Sequence, residues 1–479
     1  PAASRCHRAT SATRASRSKL TRRPLSGSAS ALRPSHDVTA GALGPASASR
    51  GAYSTSHWLF IDEARQSSSE AAQPTRTEPL EVATAPELSG LGVGALVRRL
   101  FAQQEERVRV YRRFEQGFAQ FLEVAEAEGY DARYVQLEGI AIHRHPLPVE
   151  AKGAWAYPLE YATALFWQLV LTVRIARKRR IQVIHACNPP DTIFLVAALA
   201  RPFGVRFLFD HHDLCPELFV AKFGRRGVMY RLMRILERTT FALAKVSIAT
   251  NDSFKRIACA RGGMAEDDVF VVRSGPNLER IRPLLTDPSL RRGREYLVGY
   301  VGVMGEQEGL EDLLHMVANI VHERGRTDIQ FCLVGFGPSL AGLRTLADTL
   351  KIGNYVDFPG RLDGDELLRV LSSADICVSP DPKNDMNDQS TMNKILEYMA
   401  LGKALVQYDL TEGRASAGDA ALYARPGDRG DFADQILTLI DDRQMRETMG
   451  AYGKRRIEEV LAWHHEVPKL LAAYERVLS

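Results

Sequence analysis

This 479-residue sequence is poor in the features that mark membrane-spanning, secreted and zinc-binding proteins. No window holds eighteen uncharged apolar residues and no signal peptide is evident, so neither a membrane-spanning helix nor secretion is supported. The six cysteines have no CxxC spacing, and several lie in apolar runs. That pattern indicates buried, reduced thiols rather than a zinc site or a disulfide framework, so we expect a cytoplasmic protein.

Acidic residues are absent before Asp37, although seven arginines lie in that stretch. The first ninety or so residues are rich in Ser, Ala, Arg, Thr and Pro and show no hydrophobic period. Such a composition is compatible with a transit peptide, with disorder, and with a non-native start. We expect residues 1–95 to be low-complexity and disordered or non-native, and we leave them out of the fold. In the rest of the chain, from about Leu96 onward, positive and negative residues are nearly equal in number, so we expect no nucleic-acid partner.

Apolar periodicity predicts two helices before the first clear series of strands. The first helix spans residues 107–128, and a short strand follows at residues 130–137. The second spans residues 154–176, is strongly apolar, and ends before four consecutive basic residues, 177–180. Two interpretations of it stay open. It is a helix packed in a core with a solvated basic end, or an interfacial helix whose basic end contacts anionic lipid.

Short apolar strands then alternate with helices in two successive series, the rhythm of a doubly wound parallel sheet. The strands are predicted at residues 183–185, 205–209, 247–249 and 269–272, then at 297–302, 331–334, 356–358, 376–378 and 405–406. A stretch rich in Gly and Pro separates the two series and is typical of a linker between domains.

The fold class is therefore α/β, with two Rossmann-like, doubly wound parallel-sheet domains that face a cleft, where ligands of such sheets bind. We predict an N-terminal domain on the acceptor side over residues 96–285 and a C-terminal domain on the nucleotide side over residues 286–460. A final helix within residues 461–479 is expected to pack back on the protein.

Four polar residues, the run DHHD at 210–213, follow an apolar strand and are predicted at the carboxyl edge of the first sheet. His211 and His212 suit general-base or charge-stabilising work near neutral pH, and Asp213 can orient a histidine or hold an acceptor hydroxyl. A metal site would need a third ligand, for which Glu217 is the other close candidate. The alternative is a pair of surface histidines that are hydrogen-bonded within a loop.

Residues 379–409 combine a strand end, an acidic loop and a helix start, which suits an anion. Ser390 or Thr391 is expected to cap the helix, which is predicted over residues 392–399. Lys394 adds a cation in the first turn, and Glu397 adds a carboxylate for hydroxyl groups one turn later.

Two further patterns surround this helix start. A glycine-rich loop over residues 299–309 follows a strand and lets the backbone approach a pyrophosphate, although the GxGxxG order is missing. The loop aspartates Asp381, Asp385 and Asp388 have no cation-loop spacing, so we interpret them as a solvated acidic loop.

Five segments carry a resemblance to a known family. They are FDHHDLCPELF at 209–219, VVRSGPN at 271–277, YVGVMG at 300–305, STMNKILEYMALGKALV at 390–406 and GDAALYARPGD at 418–428. From about residue 130 onward the chain resembles glycosyltransferase family 4, which comprises retaining enzymes of the GT-B architecture. It looks most like the bacterial exopolysaccharide and cell-surface polysaccharide type.

The resemblance implies a UDP- or GDP-linked sugar donor in the C-terminal domain and a saccharide acceptor, with or without a lipid carrier, in the N-terminal one. His211 or His212 matches the histidine that touches the transferred sugar, and Glu397 matches the second Glu of the Glu-x7-Glu motif. Gln389 replaces the first Glu and, with Asp213, completes the expected catalytic set. The other expected donor-binding residues are Gly302, Gly305, Ser390, Thr391, Asn393 and Lys394.

Two cations of the family are replaced here, because Val303 and Glu308 stand where an Arg and a Lys neutralise the donor diphosphate. Phosphate binding would then depend on backbone amides, the helix start and Lys394. The resemblance implies no catalytic metal and no other cofactor.

The family's first apolar strand and its glycine loop are not found, so the N-terminal sheet is expected to lack its first strand. The predicted function is sugar transfer in surface polysaccharide synthesis, in the cytoplasm, with peripheral contact at the inner face of the cell membrane. One alternative is a non-catalytic nucleotide-sugar-binding or assembly protein with a degraded N-terminal domain. Another is a non-hydrolysing sugar epimerase of the same architecture.

Overall fold

The computed structural model describes residues 58–60, 134–137, 140–143 and 156–479, all of which fall within one compact unit, Gly51–Ser479. The helix predicted over residues 107–128 lies outside the described residues. So does nearly all of the stretch 1–95, and the proposed limits of the two domains stay a prediction.

Its strands are β1 (Trp58–Phe60), β2 (Tyr134–Leu137), β3 (Ile140–His143), β4 (Val183–Cys187), β5 (Arg206–His211), β6 (Val246–Ala249), β7 (Val269–Val271), β8 (Tyr296–Val303), β9 (Ile329–Phe336), β10 (Val356–Gly360), β11 (Ile376–Ser379), β12 (Ala404–Tyr408) and β13 (Ala421–Ala424). Its α-helices are α1 (Ala156–Ala176), α2 (Phe194–Ala200), α3 (Cys215–Phe223), α4 (Val228–Leu243), α5 (Asp252–Ala260), α6 (Leu310–Ala318), α7 (Leu340–Thr349), α8 (Gly364–Ser373), α9 (Asn393–Ala400), α10 (Thr411–Ala417), α11 (Arg429–Asp441), α12 (Arg443–Arg456) and α13 (Trp463–Leu478).

The N-terminal sheet has the order β1-β4-β5-β6-β7. Strands β4 to β7 are parallel, and their side chains are buried or half-buried because helices cover the sheet. The neighbour of β4 on the other side is the antiparallel β1, which comes from the stretch left out of the fold by the sequence analysis. A separate antiparallel pair joins β2 to β3.

The C-terminal sheet has six parallel strands in the order β10-β9-β8-β11-β12-β13. The chain runs outward from β8 to β10 and then returns to the other side of β8 with β11, so the strand order reverses between β8 and β11. Ligands of open parallel sheets bind in the crevice beyond such a point. The predicted pair of Rossmann-like sheets is confirmed, and the loops after β8 and β11 are the two that meet at the crevice.

Helix α1 combines features of both sequence interpretations. Ala164 and Ile175 are buried on one stripe of the helix, so α1 does pack against the core. Phe166 and Val173 on the same helix are exposed, and the basic run 177–180 that follows is exposed as well. None of the described helices, α1 included, combines the length and apolar character that crossing a bilayer requires.

Helix α13 leaves the C-terminal domain and packs on the N-terminal sheet. Its buried side chains, Leu470, Ala473, Tyr474 and Val477, form one core cluster with residues of β4, β5 and β6. The backbone just before α13 contacts the linker between the two sheets closely. A Cβ on Gly275 of the linker would lie only 2.3 Å from the carbonyl oxygen of Leu461. The linker and the start of α13 therefore run side by side.

Most predicted elements are found within one or two residues of their expected limits, but helices α3 and α10 and strands β1, β3 and β13 were not predicted. Helix α3, helix α10 and strand β13 have no strong apolar period of their own. Each is short, and its place depends on tertiary packing more than on local propensity. The five described cysteines are free, and Cys215, Cys332 and Cys377 are buried, as the apolar runs around them predicted.

Candidate active site

A cavity of about 300 Å³ lies between the two domains, at the carboxyl ends of both sheets. Residues that follow β5, β6 and β7 line one side, among them His212 and Asp213. Residues that follow β8 and β11 line the other side, among them Glu308 and the segment from Ser390 to Asn393. The structure thus brings together groups that the sequence analysis had selected from both domains.

The two predicted histidines point to different environments, because successive side chains of a strand alternate between its faces. His211 is fully buried, and its ring contacts the rings of Phe241 and Phe254 at centroid distances of 5.1 and 4.9 Å. Its burial, reinforced by the nearby Arg261, lowers the pKa of His211 to about 3, so its ring is neutral. His211 does not line the cavity, and among these two residues only His212 can reach a ligand there.

His212 is held by a carboxylate that the sequence analysis did not select. Its Nε2 lies 3.0 Å from Oδ2 of Asp210, and Nε2 of His185 lies 3.2 Å from the same oxygen. The negative charge of Asp210 raises the pKa of His212 to about 9, against the opposing effect of burial. Burial alone would raise the pKa of Asp210, but His212 and His185 outweigh it and hold that pKa well below its usual range.

The backbone of the two cavity-lining residues is fixed by Asn188, which follows β4. Its Oδ1 accepts hydrogen bonds from the N–H groups of His212 and Asp213, at 2.9 and 3.3 Å. Its Nδ2 donates to the carbonyl oxygen of Asp213 at 2.7 Å. Burial raises the pKa of the Asp213 carboxyl, which keeps it closer to a proton-accepting range than an exposed aspartate.

Helix α9 begins one residue later than predicted, at Asn393, and its cap differs from the expected one. Met392 is the N-cap residue and makes no side-chain capping bond. The prediction of a Ser390 or Thr391 cap is wrong, because both hydroxyls bind elsewhere. Ser390 Oγ donates to the Met386 carbonyl at 2.8 Å, and Thr391 Oγ1 accepts from Asn251 at 3.1 Å. The first N–H groups of α9 thus have no side-chain cap, at the wall of the cavity.

Lys394, in the first turn of α9, is bound by two carboxylates. Its Nζ lies 2.6 Å from Glu308 and 3.0 Å from Asp381, and the Lys394 side chain is only 9% exposed. Burial opposes the charge of Lys394, but Asp381 and Glu308 prevail and raise its pKa. Tyr300 completes the cluster by donating to Glu308 at 3.0 Å. The ammonium is therefore locked in place, and its charge is offset within the protein.

The acidic loop is not simply solvated, contrary to the sequence interpretation. Asp381 is buried against Lys394, Asp385 pairs with Arg226 of the other domain, and Asp388 accepts from the backbone N–H of Thr411 at 2.8 Å. Each carboxylate is used to fix the loop or its neighbours, which the residue spacing alone could not reveal. Among the residues that the structure describes, no group of three or more His, Cys, Asp or Glu side chains could hold a metal ion.

The remaining predicted donor residues lie around the same helix start. Gln389 uses its Nε2 to bind the Asp385 carbonyl at 2.7 Å, and Glu397 is half-buried one turn into α9. Gly302 is the penultimate residue of β8 and lies beside the ring of Tyr300, and Gly305 begins the turn that carries Glu308. The residue after that turn, Gly309, has a φ of +70°, and a Cβ there would lie 2.1 Å from the Pro380 carbonyl, so the loops after β8 and β11 touch.

Hydrogen bonds across the cavity join the two domains beside these residues. Asn251, at the start of α5, caps its own helix and also donates to the Gln389 carbonyl at 2.9 Å. Ser253 of the same helix binds Glu412 of α10 through both its hydroxyl and its backbone N–H. These contacts hold α5 of one domain against α10 and the loop that precedes α9 of the other.

Four residues of this region escaped the sequence analysis: Asp210, His185, Tyr474 and Asn188. Asp210 lies in the run DHHD, and its position directly before two histidines is a usable signal. His185 lies in a predicted apolar strand next to β5, which is also a signal for a buried polar contact. Tyr474 is 289 residues away from His185, and no local pattern links them.

Two family descriptions match successive parts of the chain. "Glycosyltransferase Family 4" matches residues 92–280, and "Glycosyl transferases group 1" matches residues 295–442. Among curated relatives, the sulfoquinovosyl transferase of Arabidopsis thaliana is 23% identical over 330 residues, which cover 64% of this chain. This match spans only 60% of the length of that relative.

Solved structures show the same fold. The sucrose-phosphate synthase of Thermosynechococcus elongatus has a TM-score of 0.57 and 19% identity, covering 72% of this chain and 85% of its own. HepE of Anabaena, solved in complex with UDP, has a TM-score of 0.51 and 18% identity, covering 64% of this chain and 81% of its own. At these identities the likeness concerns the arrangement of two parallel-sheet domains around a cleft.

Proposed function

Since the chain belongs to glycosyltransferase family 4 and is a transferase, we propose that it moves a sugar from a UDP- or GDP-linked donor to a hydroxyl of a saccharide. The transfer retains the configuration of the sugar, needs no metal, and serves surface polysaccharide synthesis on an acceptor carried by a lipid. The observation that supports this most directly is the cavity of about 300 Å³, which places His212 and Asp213 opposite the uncapped start of α9.

The donor diphosphate is best accommodated at the start of α9. Uncapped N–H groups and the positive end of the helix dipole attract an anion, and Lys394 lies in the same turn. Glu397, one turn further, is the group that we assign to the hydroxyls of the donor ribose. The leaving diphosphate gains negative charge as the glycosidic bond breaks, so these groups stabilise the transition state more than the bound donor.

The sugar and the acceptor then lie on the N-terminal side. With a pKa of about 9, His212 is a cation at neutral pH, and with Nε2 bound to Asp210 it donates from Nδ1. It therefore serves as a hydrogen-bond donor to the transferred sugar rather than as a base. Asp213, whose pKa is raised by burial, is the better candidate to accept the proton of the acceptor hydroxyl.

Calorimetric titration with UDP-glucose and GDP-mannose tests the donor site. We expect saturable binding of one nucleotide class, and binding weaker by about 10-fold to 100-fold in Glu397→Ala, because hydrogen bonds to ribose are lost. UDP is the first nucleotide to test, because HepE, which shares the fold, binds it. Glu447→Ala, on the exposed side of α12, is the matched control and should bind like the wild type. No saturable binding of any nucleotide sugar would refute the proposal.

The alternative of a non-catalytic nucleotide-sugar-binding protein rests on the Lys394 cluster, in which two carboxylates outweigh one ammonium. It predicts donor binding without transfer and without donor hydrolysis, and no effect of substituting His212. Turnover of the bound donor in a radiolabel release assay distinguishes the two functions.

The N-terminal domain carries a surface suited to a lipid-linked acceptor. Helices α1, α2, α4 and α3 pack in a row. Of the sixteen large apolar side chains exposed among the described residues, twelve lie on these helices or the turns beside them: Leu159, Tyr161, Phe166, Val173, Leu195, Leu199, Phe203, Phe223, Val228, Met229, Leu232 and Ile235. We call this set the apolar–basic surface, because exposed arginines and lysines, 177–180, Arg201, Arg225 and Arg231, are interspersed with it.

The charge of this surface supports an anionic bilayer as its partner. The acidic residues of α3 and α4, Glu217 and Glu237, are buried and paired with Arg261, so they do not neutralise the exposed cations. Exposed apolar side chains enter the headgroup region while Lys and Arg contact anionic lipid, at about 1 kcal/mol for each cation near the surface. We propose that this surface rests on the membrane and brings the cavity to a lipid-linked acceptor.

Vesicle co-sedimentation tests the membrane contact. Binding is expected for phosphatidylcholine vesicles that contain phosphatidylglycerol, and it should weaken in high salt and without the anionic lipid. Phe203→Ser and Val228→Ser each remove an exposed apolar group, so each should weaken binding about tenfold. Leu285→Ser, equally exposed but outside the surface, is the matched control. Self-association that the same substitutions abolish would assign the surface to a second copy instead.

A further inference from the structure

Four polar side chains form a continuous line from the C-terminal helix to the cavity. Tyr474 of α13 lies 2.6 Å from Nδ1 of His185 on β4, and Nε2 of His185 lies 3.2 Å from Asp210 on β5. Asp210 in turn binds Nε2 of His212 at 3.0 Å. His185 and Asp210 are mostly buried, and Tyr474 is almost completely so.

The direction of each hydrogen bond follows from the chemistry of the groups. Burial raises the pKa of Tyr474, so its hydroxyl stays protonated and can donate to Nδ1 of His185. His185 must then carry its proton on Nε2, which it donates to Asp210. Oδ2 of Asp210 therefore accepts from two histidines at once, which fixes both the position and the ionised state of the carboxylate.

The line joins parts of the chain that only the tertiary fold brings together. Tyr474 packs among apolar residues of β4, β5 and β6, so α13 has to be seated on the N-terminal sheet before the hydroxyl can reach His185. His212 at the other end lines the cavity between the domains. The state of a distant helix is thus connected to a side chain of the candidate active site.

We propose that Tyr474 and His185 are positioning residues, which orient Asp210 and through it His212, so that seating of α13 completes the active site. This inference rests on the proposed function for its catalytic consequence, although the geometry of the line does not depend on it. Without Tyr474 the proton of His185 is free to move to Nδ1, and Nε2 would then present a lone pair to the carboxylate. Asp210 would lose the donor that fixes its orientation, so its carboxylate could rotate and Oδ2 would no longer be held against Nε2 of His212.

Histidine NMR titration of the full chain tests the inference without any substrate. In Tyr474→Phe, which keeps the ring packing, we expect the pKa of His212 to fall from about 9 towards its ordinary value. His185→Leu should act in the same way, whereas His185→Gln, which can accept from Tyr474 and donate to Asp210, should restore much of the shift. Tyr408→Phe is the matched control, because the buried hydroxyl of Tyr408 has no hydrogen-bond partner among the described residues.

Other charges face His212 and have to remain constant in these variants. Asp213 lies beside it, Lys222 acts on Asp213, and Glu308 lines the opposite wall of the same cavity. None of them is altered by the substitutions at positions 185, 408 and 474. A change in the titration of His212 can therefore be assigned to the line itself.

Steady-state kinetics supply a second readout, which separates this inference from the proposed function. If sugar transfer is found, kcat should fall about 10-fold in Tyr474→Phe while KM for the donor changes little, since a positioning group acts on geometry at the reacting centre. The upper pH limit of activity should also move to lower pH. A folded Tyr474→Phe protein in which His212 titrates as in the wild type would overturn the inference, whether or not transfer occurs. Absence of transfer with an altered titration would count against the proposed function alone.

Discussion

Replacing His212 with alanine is expected to lower kcat/KM for sugar transfer by about two to three orders of magnitude. The loss follows from the position of the ring, which is held by Asp210 on one side and lines the cavity on the other. Removing it takes away a positioned cation and hydrogen-bond donor without opening the core, because the side chain is 46% exposed. Stability should therefore change little, and initial-rate measurements with donor and acceptor at varied concentration will show the effect.

The pH dependence identifies which form of His212 is active. Because Nε2 is bound to Asp210, the cation presents an N–H at Nδ1, and the neutral ring presents a lone pair there. If the ring donates to the sugar, activity falls as pH rises through about 9, the pKa of His212. If it were a base, activity would rise over the same range. The raised pKa also means that its contribution to stability is complete below pH 6.5 and is lost through about pH 9.

Two controls make this prediction specific. His464→Ala removes an exposed histidine at the start of α13 and should leave transfer unchanged. Glu397→Ala should weaken donor binding, whereas His212→Ala should reduce kcat more than donor affinity. Full activity of the His212→Ala protein with any accepted donor would exclude His212 from the reaction.

Replacing Lys394 with methionine is expected to lower the free energy of unfolding by about 3–5 kcal/mol, since it leaves two partly or fully buried carboxylates without their cation. Asp381 and Glu308 would then repel each other without a cation between them. Urea unfolding at neutral pH measures the loss of stability.

The same substitution should also remove most donor binding, and a compensated variant separates the two losses. Adding Asp381→Asn and Glu308→Gln to Lys394→Met removes the unpaired charges, so most of the stability should return while donor binding stays weak. Lys454→Met, which removes an exposed cation from α12, is the control and should cost little. Wild-type donor affinity in the compensated variant would show that Lys394 does not contact the diphosphate.

The sheets were the part of this protein that its sequence predicted best. Buried parallel strands appear in a sequence as short apolar runs. Each of the nine strands predicted between Val183 and Val406 is present in the structure. The loops that line the cavity were predictable from the same strands, because polar residues that follow parallel strands must lie at one edge of the sheet. Fold and approximate site therefore follow from local pattern alone.

The details of the site depended on contacts that no local pattern contains. Alternation along β5 decides which histidine is buried, and the tertiary contacts of His211 with Phe241 and Phe254 set the phase of that alternation. The cap of α9 was mispredicted because Thr391 binds Asn251, which is 140 residues away. The pairing of Lys394 could not be predicted, because Glu308, its partner, comes from a different strand end.

The seating of α13 on the N-terminal sheet has a consequence for how the protein is made. The N-terminal domain is discontinuous in the chain, because its core lacks Leu470, Ala473, Tyr474 and Val477 until α13 has been synthesised. Domains often fold in order as they leave the ribosome. Here the first domain can only be completed after the second, so the nascent chain keeps one face of β5 and β6 uncovered until α13 has left the ribosome.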